Sequence, residues 1–198
     1  MKYGNLLFIT LLFWVGASQS TAQVKNAPPI FPETRASDHG GKINSNYDGF
    51  NHETVITLQK MKVTCDGFKD KFKGACTSIV VELHLPGVQL NYVGYVILRV
   101  LFQSEAWDAR HPLDQRELAV VIDSATMYFG RMSLVAEDIG WSKTETLEKR
   151  LPYEAFRRIM SSESVEIKVG DDRFKLRDKN IAALRDLNSR ILTQSSSR

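Results

Sequence analysis

The chain of 198 residues is long enough for one ordinary domain, and its 43% hydrophobic and 25% charged residues predict a packed core and exclude a disordered polymer. The formal net charge is +3, and the first 22 residues contribute one cation and no acid to it. The rest of the chain has 25 cations against 23 acids, which argues against a nucleic-acid partner because nucleic-acid-binding domains concentrate basic residues on one surface.

The N-terminal 22 residues have the three-part pattern of a secretory signal. Lys2 gives a short positive region, and residues 6–17 form an apolar run. Small residues up to Ala22 then predict cleavage before Gln23. The apolar run of twelve residues is shorter than the roughly 20 that a membrane-spanning helix needs. We therefore expect removal of residues 1–22, a secreted or periplasmic mature protein, and no remaining transmembrane span.

Composition divides the remaining chain into three parts. Residues 23–46 are rich in proline, asparagine, serine and glycine and lack an apolar period, which predicts a flexible leader. Residues 47–192 carry the hydrophobic pattern of a single globular β-rich domain. Residues 193–198 are polar, and we expect them to form a disordered tail.

Cys65 and Cys76 are the only cysteines, and an exported chain folds where cysteine pairs usually form disulfides. A bridge between them would close a loop of twelve residues and stabilise the fold by roughly 3 kcal/mol in the chain-entropy model. A zinc site would need further ligands at metal-binding spacing, and the sequence offers none beside either cysteine. We therefore predict a Cys65–Cys76 disulfide at the mouth of a β-hairpin.

Residues 54–65 and 76–85 alternate in polarity and are predicted to be the strands of that hairpin. In an uninterrupted register from the cysteine pair, Leu58 faces Leu83. One face then carries the larger apolar set, which is Ile56, Leu58, Ile79, Val81, Leu83 and Leu85. The other face carries Met61, Val63 and Val80 together with the cysteines.

Three further strands are predicted before residue 137. Residues 93–103 are apolar on both faces, which is typical of a central strand. Residues 118–122 form a short strand that ends at a turn. The next strand covers residues 125–136, with an irregularity at Gly130.

The C-terminal third combines strands with helices. Residues 143–151 alternate charged residues and threonine, which suits an edge strand. Pro152 opens a short helix, and residues 165–176 form a hairpin that turns at Gly170. A final helix carries an inward apolar stripe formed by Ile181, Leu184, Leu187 and Ile191.

Together these elements predict a mainly β fold. The expected architecture is an antiparallel β-sandwich or flattened barrel with a short helix and a C-terminal helix. The alternative is an α+β fold in which the helices cover a single sheet.

Two segments of the chain carry the residues on which a resemblance to other proteins rests. The first is Tyr47-Asp48-x-Phe50, followed by Thr54 and the opening strand. The second comprises Phe156, Ile159, Val165-Glu166, Gly170, Phe174, Leu176 and Ala183-Leu184-Arg185-Asp186-Leu187. In these residues the chain resembles a family of uncharacterised exported bacterial proteins, which tend to have alanine at the position of Ser162 and to lack the Cys65–Cys76 loop. The resemblance implies export and a shared fold, and it implies no activity, ligand or catalytic residue.

No arrangement of residues identifies a catalytic or metal site. The histidines are His39, His52, His84 and His111, and none forms an HxH or HExxH pair. His84 and Glu82 share one strand face and could both reach a metal ion, but a solvated polar face explains them more simply. The sequence contains no nucleophile elbow or phosphate-binding loop. We assign no catalytic residue, metal or cofactor.

The loop between the cysteines is the candidate interaction site. Its aromatic and basic residues are Phe68, Lys69, Lys71, Phe72 and Lys73. Aromatic side chains beside cations suit an anionic surface, such as lipid headgroups or an acidic envelope protein. The simpler interpretation, which we favour, is that both phenylalanines fold back onto the sheet and the lysines are only solvated. Tyr47 and Phe50 raise the same question, and there we expect packing in the core.

Three functions remain open at this point. The leading hypothesis is a non-catalytic interaction or scaffold module of the bacterial envelope or exterior, and it predicts a filled interior. A protein that binds a small apolar ligand would have a closed apolar cavity. An enzyme of unfamiliar type would have a cleft in which acids or histidines converge.

Overall fold

The structure is a computed structural model, and it describes residues 39–66, 75–88, 90, 92–104, 111–139 and 143–192. The strands in these ranges are β1 (Ile43–Asp48), β2 (Glu53–Asp66), β3 (Ala75–Pro86), β4 (Tyr95–Ser104), β5 (Glu117–Ile122), β6 (Ala125–Arg131), β7 (Ser133–Ile139), β8 (Lys143–Leu151), β9 (Val165–Val169) and β10 (Asp172–Lys175). The helices there are α1 (Tyr153–Ser161) and α2 (Asp178–Leu192), and a 3-10 turn covers Leu113–Gln115. Within these ranges, no helix is long and apolar enough to cross a membrane.

The described strands form two antiparallel sheets, which confirms the predicted mainly β, sandwich-like fold. One sheet has six strands in the order β1-β2-β3-β4-β8-β7, and the other has four in the order β10-β9-β5-β6. Apolar side chains of both sheets and both helices meet in one hydrophobic core. The first strand begins at Ile43, inside the segment that the sequence assigns to the leader.

The strand β4 confirms the prediction that residues 93–103 form a central strand. It pairs with β3 on one side and β8 on the other. Its inward residues all belong to the core, and they are Val96, Leu98, Val100 and Phe102. Ile97 faces the opposite way and is also buried, opposite Glu82 on β3 and Arg150 on β8.

The β2–β3 pair starts from the predicted register and then departs from it. Cys65 faces Cys76, as predicted. Leu58, however, faces Val81 and not Leu83, so the uninterrupted register is wrong. The difference of two residues arises because β2 contains two bulges, each of which adds one residue that β3 does not match.

These bulges also correct the predicted faces of β2. They lie between Leu58 and Met61 and between Lys62 and Thr64. The first bulge shifts the alternation by one residue, so that Met61 and Val63 point into the core, not away from it. From Ile56 to Val63, β2 therefore buries apolar side chains on one face.

The second bulge provides the attachment point for α2. The Arg177 guanidinium donates to the carbonyl oxygen of Val63 at 2.9 Å, and the Asn180 side-chain amide donates to that of Lys62 at 3.2 Å. The Asn180 amide oxygen accepts the backbone N–H of Arg177 at 3.0 Å, just before the helix begins. Asn180 is fully buried, and these bonds satisfy its polar atoms.

One prediction about the middle of the chain is wrong. The single strand expected over residues 125–136 is divided between β6 and β7, which belong to different sheets. The chain changes sheet at Met132, which is buried and whose N–H donates to the carbonyl oxygen of Arg116. The expected irregularity is present as a bulge in β6 beside Gly130, which has a left-handed φ of 72°.

The strand β8 is an inner strand and not the predicted edge strand, because it pairs with β4 on one side and with β7 on the other. Its alternation of charged and apolar residues reflects its two faces. Leu147 and Leu151 point into the core, whereas Glu148 points outward. The predicted helix after Pro152, the hairpin and the final helix are all present as α1, β9–β10 and α2.

We expect the apolar stripe of α2 to contribute strongly to stability. All four of its residues are buried, and Leu184 is 2% exposed. Leu184→Ala should lower the free energy of unfolding by about 2–5 kcal/mol, because it removes core contacts and leaves a cavity. Urea denaturation measures this change. Lys179→Ala, at an exposed position of the same helix, is the matched control, and equal effects of the two variants would contradict the observed packing.

Candidate functional site

A polar network covers the outer face of the six-stranded sheet and crosses four of its strands. Its members are Glu53 on β2, Glu82 and His84 on β3, Tyr95 and Arg99 on β4, and Glu148 and Arg150 on β8. We call this set the outer-face network. Successive side chains of a strand point to opposite faces of the sheet. The residues of this network alternate with the buried ones and therefore point away from the core.

His84 lies between two carboxylates of the outer-face network. Its Nδ1 is 2.9 Å from Glu53 Oε1, and its Nε2 is 3.4 Å from Glu82 Oε2 without hydrogen-bond alignment. The imidazole stacks on the Tyr95 ring at 4.3 Å, and the Arg150 guanidinium lies 3.7 Å from the centre of that ring. Burial alone would lower the pKa of His84, but the contacts with Glu82 and Glu53 outweigh it and raise the pKa.

Arg99 connects Glu82 to the neighbouring strand. Its Nη1 donates to Glu82, and its Nε donates to Glu148 Oε2 at 2.7 Å. The contact with His84 lowers the pKa of Glu82, and Arg99 adds to this effect against the opposing effect of burial. The structure thus brings His84 and Glu82 together, but a guanidinium already shares the carboxylate and would repel a metal ion. In the part of the chain that is described, no three His, Cys, Asp or Glu side chains form a metal-binding group.

A second polar group lies between the two sheets. His111 is 2% exposed, and its Nδ1 is 2.6 Å from Glu145 Oε2 in the six-stranded sheet. Its Nε2 is 3.1 Å from Asp172 Oδ2 in the four-stranded sheet. Arg116 donates from Nε to the carbonyl oxygen of His111 at 2.8 Å, and its Nη2 lies 3.6 Å from Glu145 Oε1. We call these four residues the inter-sheet cluster.

Gly170 brings one carboxylate of the inter-sheet cluster into place. It has a φ of 57°, and a Cβ at this position would lie 2.3 Å from the carbonyl oxygen of Gln115. Its N–H donates to the carbonyl oxygen of Glu117 at 3.0 Å. Only glycine therefore allows the β9–β10 hairpin to approach the 3-10 turn, and this approach carries Asp172 to His111.

Charge in the inter-sheet cluster stabilises a protonated histidine. Burial alone would lower the pKa of His111, but hydrogen bonds and charge from Asp172 and Glu145 outweigh burial and raise it. The sequence alone predicts no role for any member of this cluster. The signal that could have indicated it is Glu145, an acid on the face of β8 that also carries the buried residues Leu147 and Leu151.

The C-terminal segment that carries the family resemblance has structural contacts. Arg185 donates to the carbonyl oxygens of Met160 and Ser162, at 2.8 and 3.2 Å, and so binds the end of α1. Asp186 accepts from His39 Nε2 at 3.2 Å. His39 falls in the predicted leader, yet the structure places its side chain against α2. These residues hold elements together and form no catalytic arrangement.

The turn between β1 and β2 exposes a large aromatic side chain. Phe50 is 92% exposed, so the expectation that it packs in the core is wrong. Asp48 orders this turn: its Oδ1 accepts the N–H groups of Phe50 and Asn51 at 2.8 and 3.2 Å. Its Oδ2 accepts the Asn51 side-chain amide at 2.7 Å. Tyr47 is half-buried, and its hydroxyl lies 3.5 Å from His52 Nδ1.

The β3–β4 loop lies at the same end of the sheet and is bonded to this turn. Gly87 donates its N–H to the carbonyl oxygen of His52 at 2.7 Å and accepts the Thr54 hydroxyl at 2.8 Å. The loop carries Val88 and Tyr92, and Tyr92 is 65% exposed. We call Phe50, Val88 and Tyr92 the turn-end surface.

A groove adjoins the turn-end surface, and a much smaller cavity lies between the sheets among the described residues. The groove has a volume of about 610 Å³ and runs between Tyr92, α1 and α2, with Tyr153, Arg157 and Ile191 among its lining residues. Between the sheets, a cavity of about 20 Å³ lies against core residues that include Leu98. Such a cavity has room for about one water molecule.

Two further predictions concern the loop between the cysteines and the disulfide itself. The predicted interaction loop, with Phe68, Lys69, Lys71, Phe72 and Lys73, lies outside the described residues. Backbone pairing places Cys65 opposite Cys76 at the mouth of the hairpin, and the bond between them stays a prediction.

We expect the pKa of His84 to depend on Glu82. Glu82→Gln removes a negative charge beside the imidazole and should lower the pKa of His84 toward the ordinary value of about 6.5. An NMR titration of the His84 ring protons measures this shift. Glu117→Gln is the control, since that exposed side chain pairs with Arg131 outside the network. A His84 pKa that is the same in both variants would refute the coupling.

Comparisons of the chain with family models, with curated proteins and with solved structures gave no match. The roles given to the residues above therefore rest on their contacts in this structure. The resemblance to exported bacterial proteins stays a prediction.

Proposed function

We propose that the protein is a non-catalytic interaction module of the bacterial envelope and that its turn-end surface binds a protein partner. The observation that carries this proposal is Phe50, a large apolar side chain left in solvent by an ordered turn. Aromatic side chains are enriched in protein interfaces and often provide the largest share of the binding energy.

The order of the turn supports binding. The carboxylate of Asp48 fixes the backbone on both sides of Phe50, and the bonds to Gly87 fix the turn against the loop that carries Tyr92. A partner would therefore meet these side chains with little loss of conformational entropy on binding. The adjoining groove extends the surface toward α1 and α2.

The two other candidate functions have less support from the described residues. A small apolar ligand would need far more space between the sheets than the cavity of about 20 Å³ provides. The catalytic alternative would be favoured by a histidine with a shifted pKa that faces a cleft. The two described histidines with a raised pKa, His84 and His111, are instead paired with carboxylates.

Site-specific photocrosslinking in cells tests the binding surface. A photoreactive phenylalanine analogue at position 50 should give a discrete crosslinked adduct with an envelope protein. The same analogue at Tyr128, which is 83% exposed on β6, is the matched control and should give none. Phe50→Ser should abolish co-purification of that partner while changing the free energy of unfolding by less than about 0.5 kcal/mol, as expected at an exposed site. Identical crosslinking from both positions would refute the proposed surface.

We also propose that the protein is exported, with cleavage before Gln23 and a disulfide between Cys65 and Cys76. The signal pattern and the opposed positions of the cysteines in β2 and β3 support this. N-terminal sequencing of protein from the exported fraction should begin at or near Gln23. Thiol labelling of the unfolded, unreduced protein should find no free thiol, and it should find two after reduction. An intact Met1 on membrane-embedded protein would contradict export, and labelling before reduction would contradict the bridge.

A further inference from the structure

The groove beside α1 and α2 has the features of a binding site for an extended peptide. It has a volume of about 610 Å³ and is lined by two tyrosines, Tyr92 from the β3–β4 loop and Tyr153 from the start of α1. Met160 and Ile191 add apolar surface. The Tyr153 hydroxyl donates to Asn188 Oδ1 at 2.7 Å, which holds the ring beside α2. Grooves lined by aromatic side chains bind proline-rich segments in the polyproline II conformation.

The charged residues of the groove leave it basic. Arg157 and Arg158 of α1 line it together with Glu154. The Glu154 carboxylate lies 3.3 Å from Arg157 Nη1 and balances one of the two cations. Within the described part of the chain, Arg158 forms no ion pair. A segment with one acid beside apolar residues would therefore complement the groove in charge as well as in polarity.

The chain itself contains such a segment upstream of His39, the first described residue. Residues 28–33 read Pro-Pro-Ile-Phe-Pro-Glu. Pro29 and Pro32 have the PxxP spacing, and proline fixes φ near −65°, which favours polyproline II and reduces the entropy lost on binding. Two large apolar residues lie between these prolines, and Glu33 follows them directly as the acid.

The described part of the chain enters the fold along α2 in a direction that leads to the groove. Gly41 lies against Ala183, since a Cβ on this glycine would be 3.2 Å from the Ala183 Cβ. His39 bonds to Asp186, three residues further along the helix. Followed toward its N-terminus, the chain therefore runs toward the C-terminal end of α2, where Ile191 lines the groove.

The intervening residues are long enough to reach the groove. Phe31 precedes His39 by eight residues, which span about 25 Å at roughly 3.1 Å per residue. Ile191 follows Asp186 by five residues, which is about 7.5 Å along the helix axis. Passing halfway round a helix about 10–12 Å across adds roughly 17 Å. The segment can thus enter the groove while His39 keeps its bond to α2.

We propose that residues 28–33 bind in the groove of their own chain, with Ile30 and Phe31 against the two tyrosines and Glu33 at Arg158. The segment then covers apolar side chains at the junction of α1 and α2 and attaches the start of the mature chain to its last helix. This inference goes beyond the proposed partner surface and does not depend on it, because the groove and its occupant belong to one chain.

Photocrosslinking within the purified mature protein tests the occupant. A photoreactive phenylalanine analogue at position 31 should form crosslinks within one chain to residues 153–161 or 188–192, which mass spectrometry of the digested protein identifies. The same analogue at Val24, outside the proline segment, is the matched control and should give no such crosslinks. Crosslinks from position 31 that only join two chains, or that only reach other surfaces, would overturn the proposal.

Variants of the leader provide a second measurement that leaves the described fold unaltered. Ile30→Ser/Phe31→Ser removes both apolar anchors and should shift the NMR amide resonances of α1 and of the last turn of α2, because their surroundings change from protein to water. Val24→Ser, at an apolar residue outside the segment, should leave these resonances in place. Unchanged resonances in the double variant, or equal shifts in both variants, would contradict binding in the groove.

Discussion

The inner face of β2 must remain apolar over a strand of 14 residues, and the arrangement of the surrounding elements depends on how this is achieved. A regular strand with this sequence would point Met61 and Val63 away from the core. The first bulge turns both residues inward, and at the second bulge the carbonyl oxygens of Lys62 and Val63 accept hydrogen bonds from outside the sheet. Arg177 and Asn180 bind the carbonyl oxygens at the second bulge, and this fixes the start of α2 over the core.

The two ends of the six-stranded sheet differ in chemistry. At the end where β4 finishes, the inter-sheet cluster joins the two sheets with polar contacts. At the other end, where β4 begins, the turns leave the aromatic side chains of Phe50 and Tyr92 in water. This exposed end is the part of the described chain to which we propose that a partner binds.

Most strands and both helices follow from local periodicity, because each element buries one side against the same core. The failures arise where distant residues decide the outcome. The second bulge of β2 is bound by Arg177 and Asn180, more than a hundred residues later, and β8 is an inner strand because the chain changes sheet at Met132. Strand alternation was enough to place His84 beside Glu82, whereas the cluster around His111 could not be predicted, since Glu145 and Asp172 approach it from separate sheets. The expectation that Phe50 is buried is wrong because its aromatic character favours burial, whereas the Asp48 turn determines its exposure.

The position of α2 in the chain has a consequence for the order of events during biosynthesis. This helix is synthesised after every strand, yet it supplies five buried residues to the core and holds both β2 and His39. Contacts between such distant parts of a chain form late and slowly. A ribosome would therefore release nearly the whole sequence before a stable interior could form. For a chain exported as we propose, this delay keeps the polypeptide unfolded while it passes through a narrow translocation channel, and stable folding follows on the far side.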